Sequence, residues 1–205
     1  MTEPLGPALM IKGFKIFKNA ISADDRRLLV HDLRLAVERA PLYRSYTPSG
    51  QPLSVRTTSM GRYGWYSDAA GYRYVTRHPN GTKWPAIPAP LLNLWGLLVS
   101  TDRAPDSCLL NYYSGTAKMG LHRDNDEVDF SWPVLSISLG DDALFRVGGM
   151  ARGDATQSVW LSSGDVVVMG GDARRAYHGI DRIKFGTSRL LAHGGRINLT
   201  LRVAK

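Results

Sequence analysis

The chain has 205 residues, a length that fits one domain, 1–205, with a core that needs no covalent cross-links. Its single cysteine, Cys108, excludes an intramolecular disulfide framework, and its apolar neighbours predict a buried strand residue. No apolar run reaches the length of a transmembrane helix and residues 1–10 lack a basic leader, so we predict a cytoplasmic protein without membrane contacts. The formal net charge of +8 favours an anionic partner, nucleic acid first, although simple solubility explains the charge equally well.

The N-terminal part of the chain predicts one strand and two helices. Residues 11–18 alternate loosely between apolar and polar side chains, as a strand does. Ser22 is a good N-cap for a helix over residues 23–40, and Pro41 ends that helix. A second, leucine-rich helix is predicted over residues 91–100. The chain shows no heptad pattern, and we expect a monomer.

Residues 42–85 differ from the rest in composition, being rich in Gly, Pro, Ser, Thr, Tyr and Arg. Aromatic residues, among them Trp65 and Tyr72, alternate there with arginines such as Arg62 and Arg73. Arginines can bind phosphates and aromatic rings can stack on bases, so this composition favours a nucleic-acid surface. The alternative is a short antiparallel hairpin whose aromatic rings pack on the core.

From Cys108 onward the pattern changes to short strands separated by glycine turns. Many short strands with regular turns indicate a sandwich or jelly roll. The fold class predicted for the whole chain is therefore α+β, with N-terminal helices and a double-stranded β-helix over residues 108–205. The predicted strands are 108–113, 134–139, 143–147, 158–161, 166–169, 174–178 and 196–203.

Three metal-ligand candidates occur in the region from Cys108 onward. His122 and Asp124 are two residues apart, so on a strand both side chains point to one face, and His178 follows downstream. Two histidines and one carboxylate can occupy one face of Fe(II) and leave positions for O2 and an oxidisable co-substrate. His-x-Asp is weak alone, because a solvated acidic loop explains it better.

The last strand strengthens the metal hypothesis. Arg196, Asn198, Thr200 and Arg202 alternate with Ile197, Leu199, Leu201 and Val203, so one face is apolar and the other carries two guanidinium groups. Buried arginines need anionic partners, and a dicarboxylate ligand would supply them. The alternative is a polar face exposed to water.

Together, these motifs resemble the AlkB family of Fe(II)/2-oxoglutarate dioxygenases, the nucleic-acid demethylases. The resemblance runs from about residue 11 to the C-terminus, and the Arg-x-Asn-x-Thr-x-Arg strand is much more specific than the triad. Other matching stretches are Asn111-x-Tyr113, Gly64-Trp65, residues 164–168 and residues 177–180.

The resemblance implies a nucleotide-recognition lid over residues 42–85, a catalytic core over residues 108–205, and O2 as a co-substrate. It implies that His122, Asp124 and His178 hold Fe(II). Arg196 and Arg202 would bind the carboxylates of 2-oxoglutarate, with hydrogen bonds from Asn111, Tyr113 and Asn198.

Family enzymes remove methyl groups from damaged bases, so the implied partner is alkylated single-stranded DNA, with RNA as a second candidate. N1-methyladenine and N3-methylcytosine are cationic, and an aromatic plane near a carboxylate would hold them well. Candidate substrate contacts are Trp65, Asp126, Tyr72 and Arg152, together with Thr47 and Leu53 in the loop that should cover the base. That loop has Gln51-Pro52 at its tip, where we expect a large aromatic residue.

Two other functions remain open on the sequence alone. One keeps iron and 2-oxoglutarate but hydroxylates a protein side chain or a small molecule. The other is a non-catalytic jelly roll that binds nucleic acid without metal.

Overall fold

A computed structural model describes residues 6–205; the first five residues of the segment considered above for a leader lie outside it. The described part contains two α-helices, a short 3₁₀ helix at Gly171–Arg175, and thirteen strands. The helices are α1 (Ala23–Arg39) and α2 (Ala89–Leu98). The strands are β1 (Leu9–Ile11), β2 (Phe14–Phe17), β3 (Arg56–Gly61), β4 (Gly64–Asp68), β5 (Gly71–Val75), β6 (Ser107–Tyr113), β7 (Met119–His122), β8 (Val134–Gly140), β9 (Asp142–Val147), β10 (Gln157–Leu161), β11 (Val166–Met169), β12 (His178–Lys184) and β13 (Arg196–Arg202).

Two sheets form the jelly roll. The major sheet has the order β1-β2-β11-β8-β13-β6-β3, and the minor sheet has the order β10-β9-β12-β7. Residues from both, including Phe14, Tyr113, Phe145 and Ile180, share one buried cluster, so the sheets pack face to face. The β4–β5 hairpin forms a third, two-stranded sheet.

The helices cover the other face of the major sheet. Leu29 and Leu33 of α1 and Trp95 of α2 share a buried cluster with Leu199 and Leu201 of β13. Because side chains alternate along a strand, the neighbouring polar residues of β13 point between the sheets. This alternation puts the arginines of β13 into the jelly-roll interior, where Arg196 is 1% exposed and Arg202 is 6% exposed, so the alternative of a polar face exposed to water is wrong.

Most of the predicted elements are confirmed, and the two helices agree within two residues. Ser22 caps α1 by accepting a hydrogen bond from the Asp25 backbone at 3.1 Å. Cys108 is buried in β6, and burial raises the pKa of its thiol to about 12, as expected for a core residue. Neither helix within residues 6–205 is long and apolar enough to cross a bilayer.

Two local predictions are wrong, and one strand was missed. The strand expected over residues 11–18 is a tight hairpin, because Lys12 and Gly13 have positive φ angles and turn the chain between β1 and β2. The strand expected over residues 174–178 is instead the end of the 3₁₀ helix followed by coil, and β12 begins only at His178. Strand β7 was not predicted.

Candidate active site

Two histidines lie side by side on adjacent strands of the minor sheet. His122 ends β7, His178 begins β12, and the antiparallel register pairs them directly, with ring centroids 4.6 Å apart. Each Nδ1 donates a hydrogen bond to a backbone carbonyl, His122 to Gly120 at 2.9 Å and His178 to Ala176 at 3.1 Å. Each Nε2 therefore keeps the lone pair that a metal ligand needs.

Asp124 completes a three-residue cluster. Its Oδ1 is 3.8 Å from His122 Nε2, and one potential ligand atom from each of His122, Asp124 and His178 lies within 4.8 Å of the others. The expectation that a strand carries both His122 and Asp124 is wrong, because β7 ends at His122 and Asp124 lies in the following coil. The chain nevertheless brings all three side chains together.

The charge states in this cluster suit a cation. Burial alone would raise the pKa of Asp124. Arg202 and the two imidazoles together lower this pKa by more than burial raises it, so the pKa lies well below its usual value and the carboxylate is ionised. Burial and the neighbouring His122 lower the pKa of His178 to about 4, so its ring is neutral at neutral pH. The set therefore offers an anionic oxygen from Asp124 and a neutral ring from His178.

The two arginines of β13 differ in their partners. Arg202 donates from Nη2 and Nε to Asp124 Oδ2, at 2.8 and 3.2 Å, and its Nε is 3.3 Å from Glu127. Arg196 donates from Nη2 to Ser138 at 2.9 Å and lies against the Tyr113 ring. In residues 6–205, Arg196 Nε and Nη1 and Arg202 Nη1 are buried without a hydrogen-bond partner. These three guanidinium nitrogens are candidate donors for an anionic ligand.

Strand register explains why the polar residues of β6 join the arginines. In the antiparallel β6–β13 pair, Tyr113 lies opposite Arg196 and Asn111 lies opposite Asn198. The Asn-x-Tyr and Arg-x-Asn patterns thus meet on one face of the sheet. Asn198 already donates its amide to Ser136 at 2.8 Å.

The β4–β5 hairpin forms another wall. Trp65 and Tyr72 stack with ring centroids 5.6 Å apart, and Trp65 Nε1 donates to Asp126 Oδ2 at 2.8 Å. Burial raises the pKa of Asp126, although the Trp65 hydrogen bond opposes this shift. The backbone of this segment is therefore the antiparallel hairpin that the alternative predicted. The Tyr72 ring, however, is 47% exposed and does not pack into the core.

A cavity of about 680 Å³ brings these features together. All fourteen candidate residues from the sequence line it: His122, Asp124, His178, Asn111, Tyr113, Arg196, Asn198, Arg202, Trp65, Tyr72, Asp126, Arg152, Thr47 and Leu53. The Thr47 turn is closed by a hydrogen bond from the Gly50 backbone to the Thr47 carbonyl at 2.8 Å.

Sequence reasoning missed four residues around this cavity. Arg123, Tyr177 and Glu127 line the cavity. Arg174 is buried against Glu127, with Nη2 2.7 Å from Oε2. Two signals could have found them: Arg123 and Tyr177 directly precede or follow metal-ligand candidates, and Glu127 ends an acidic run that needed a cationic partner.

Comparison with known proteins agrees with this geometry. The family model described as "2OG-Fe(II) oxygenase superfamily" matches residues 13–202. The "Alpha-ketoglutarate-dependent dioxygenase AlkB homolog" of Caulobacter vibrioides is 50% identical over 200 residues, which cover 97% of this chain and 91% of the relative. The chain belongs to the AlkB family. The AlkB protein of Escherichia coli K12 is 39% identical over 181 residues, covering 86% of this chain and 83% of that protein.

The AlkB relatives include a solved structure and a more distant demethylase. "The structure of OsALKBH1" superposes with a TM-score of 0.79 at 29% identity and covers 97% of this chain and 99% of that one. A protein of Arabidopsis thaliana named "DNA N(6)-methyladenine demethylase ALKBH1C" is 29% identical over 220 residues, which cover 93% of this chain and 48% of that protein.

As an AlkB-family member, the chain is an Fe(II)- and 2-oxoglutarate-dependent dioxygenase that uses O2 as co-substrate. Two observations fit these groups. The His, Asp, His donor set is of the type that binds non-haem Fe(II) on one face. The buried guanidinium donors without partners fit a dicarboxylate.

Proposed function

We propose that this dioxygenase is an oxidative demethylase of nucleic acids, acting on N1-methyladenine and N3-methylcytosine in single-stranded DNA, with RNA as a second substrate. One observation carries the proposal. The three-residue cluster and the buried arginines line the same cavity as an aromatic hairpin and a partly buried carboxylate.

We assign the following roles to the three-residue cluster and to the polar residues of β6 and β13. His122, Asp124 and His178 would hold Fe(II), and Arg196 and Arg202 would hold 2-oxoglutarate, with Asn111, Tyr113 and Asn198 beside it. When bound, these groups supply the oxidation of the N-methyl group, which consumes O2, forms succinate and CO2, and releases the methyl carbon as formaldehyde.

The hairpin would hold the base. A methylated base must leave the stack to reach the cluster, and the Trp65 ring offers a plane on which it can stack. Asp126 fixes that ring through Nε1 and places a carboxylate near a cationic base. A cation there would offset the raised pKa of Asp126, because opposite charge favours the ionised form.

Two arginines of the cavity lining, Arg123 and Arg152, suit the phosphate backbone. The guanidinium carbons of Arg123 and Arg152 lie 4.7 and 5.5 Å from the centroid of the Tyr177 ring. Neither arginine pairs with a carboxylate within residues 6–205. Two unpaired cations in the cavity lining favour an anionic polymer over a small apolar substrate.

The decisive experiment is turnover of a single-stranded oligonucleotide that carries one N1-methyladenine, with Fe(II), 2-oxoglutarate and O2. We expect one formaldehyde and one succinate for each methyl group lost, measured by mass spectrometry. Turnover restricted to proteins or small molecules would contradict the proposal. Oligonucleotide binding without oxygen-dependent turnover would instead identify a non-catalytic binding domain.

Replacing Trp65 by alanine should weaken binding of the methylated oligonucleotide by about 1–3 kcal/mol, the usual effect of losing a base stack. Trp65→Phe keeps an aromatic plane but loses Nε1, so it should weaken binding less. Fluorescence anisotropy measures both. Trp160→Ala, at an exposed tryptophan of β10 outside the cavity lining, is the control. Unchanged affinity in Trp65→Ala would mean that this ring only packs.

Arg123→Ala and Arg152→Ala should each reduce the salt dependence of binding. Each phosphate contact contributes a slope of about −0.7 to log K against log salt for single strands. Each variant should therefore flatten the slope by about 0.7, measured by anisotropy between low and physiological salt. Arg34→Ala removes the same charge from an exposed position on α1 and should leave the slope unchanged. A wild-type slope in both cavity-lining variants would exclude phosphate contacts there.

A further inference from the structure

The segment that leads into His178 also holds Asp124. This segment begins at Arg174, in the last turn of the 3₁₀ helix, and ends where β12 starts. Within it, the Ala176 carbonyl accepts from His178 Nδ1 at 3.1 Å and so orients that ring. Arg174 is 3% exposed, does not line the cavity, and reaches across to the loop that carries Asp124. One short stretch of chain therefore contacts two of the three metal-ligand candidates from behind.

Arg174 holds the loop between β7 and β8 at four points. Its guanidinium donates from Nη1 to the Asp124 carbonyl at 2.8 Å and from Nε to the Trp132 carbonyl at 3.0 Å. Its Nη2 donates to Glu127 Oε2 at 2.7 Å, and its guanidinium carbon lies 5.3 Å from the centroid of the Phe130 ring. The loop contains no strand or helix, so these contacts take the place of the ladder that fixes the backbone of a strand.

Asp124 is consequently held at both its side chain and its backbone. Arg202 donates twice to Oδ2 of the carboxylate, and Oδ1 lies 3.8 Å from His122 Nε2. The bonds from Arg202 set the position of the carboxylate only while the peptide group of Asp124 stays in place. A functional side chain must be kept within about 0.5 Å of its working position, and in a coil this requires a backbone anchor. Arg174 supplies that anchor.

We propose that Arg174 is a positioning residue: by holding the Asp124 carbonyl, it sets the place of the Asp124 carboxylate beside His178 and thereby the metal affinity of the cluster. This inference rests on the proposed function for its assignment of the cluster to a metal ion. The charge of Arg174 and its shape serve different partners. Its charge compensates Glu127, which is 6% exposed and whose other oxygen accepts from the Tyr74 hydroxyl. Its planar fork of donors reaches the two backbone carbonyls of the loop.

Arg174→Lys separates the two contributions. An ammonium group keeps a cation beside Glu127 but cannot reproduce the fork that donates to both carbonyls. We expect a folded protein whose Kd for Mn(II) rises about 10–100-fold, the usual effect of losing a contact that orients a metal ligand. Titration of the full chain without 2-oxoglutarate, followed by the EPR signal of free Mn(II), measures this Kd. Arg175→Lys is the matched control, because Arg175 is the next residue of the same 3₁₀ helix, is exposed, and should keep the wild-type Kd.

A second variant decides the matter if Arg174→Lys does not fold. Arg174→Met combined with Glu127→Met replaces the buried ion pair by apolar side chains, a change that often leaves stability unchanged or improved. Both carbonyls still lose their donor, so the Kd for Mn(II) should rise by a similar factor.

Circular dichroism shows which variants are folded. A folded variant of either kind with the wild-type Kd would overturn the inference alone, because Arg174 would then only stabilise the fold. Loss of folding in both variants would likewise assign Arg174 to stability and overturn it. A wild-type protein that does not bind Mn(II), or that binds it equally well after Asp124→Ala, would overturn the proposed metal site together with this inference.

Discussion

Asp124→Ala should abolish metal binding and turnover together. Asp124 is the only carboxylate in the three-residue cluster and stays ionised beside Arg202, so its loss leaves only two imidazoles, and no anionic ligand, for a divalent cation. Replacing a residue that only hydrogen-bonds to a metal ligand lowers metal affinity or activity by about 10–100-fold. Replacing the ligand itself should therefore lower metal affinity by more than that. Anaerobic titration with Fe(II) and 2-oxoglutarate checks this through the visible charge-transfer band, which should be absent.

The matched control is Asp129→Ala, which removes an exposed carboxylate from the same loop and should leave the band unchanged. Asp124→Ala should also lower the melting temperature, because Arg202 loses the partner of two hydrogen bonds and remains buried. Circular dichroism therefore accompanies the titration. A folded Asp124→Ala protein that still shows the band and turns over would contradict the ligand assignment.

The sequence predicts well which polar residues of β6 and β13 meet in the cavity, because that information lies in strand alternation. The polar face of β13 and the Asn-x-Tyr of β6 each follow a period of two, and the antiparallel register then sets Tyr113 against Arg196. Nothing beyond the order of residues along each strand is needed. The β7–β12 pairing brings the two histidines together in the same way. Strand β7 itself could not be recognised from the sequence, because it has only four residues and one of them is glycine.

The charged surroundings of the site could not be predicted in this way. Residues 174–178 were predicted as a strand, yet Arg174 lies in the 3₁₀ helix, where its guanidinium donates to Glu127 and to two backbone carbonyls. Glu127 is separated from both Arg174 and Tyr74 by about fifty residues. The periodicity of neighbouring residues therefore cannot reveal these contacts. Long-range pairing of buried charges depends on the finished fold.

Arg196→Met should raise the 2-oxoglutarate requirement while leaving Fe(II) binding largely intact. A hydrogen bond to a charged group contributes about 1.5–3 kcal/mol, and each 1.4 kcal/mol is a factor of ten, so KM for 2-oxoglutarate should rise about 10–150-fold. Steady-state kinetics with varied 2-oxoglutarate measure this. Arg182→Met, at an exposed position of β12, is the control and should leave KM unchanged.

The same substitution should stabilise the protein in the absence of cofactor. Arg196 is 1% exposed, and its Nε and Nη1 have no hydrogen-bond partner within residues 6–205, so the folded chain carries a buried charge that is only partly compensated by Ser138 and the Tyr113 ring. Replacing buried ionic groups by apolar side chains of similar volume often stabilises by about 1–4 kcal/mol. Arg202→Met should do the opposite, because it leaves Asp124 without its guanidinium partner and removes one cation beside Glu127. Urea unfolding of the two variants separates these outcomes. Equal destabilisation by both would mean that Arg196 serves packing, and that the free donors are not kept for an anionic ligand.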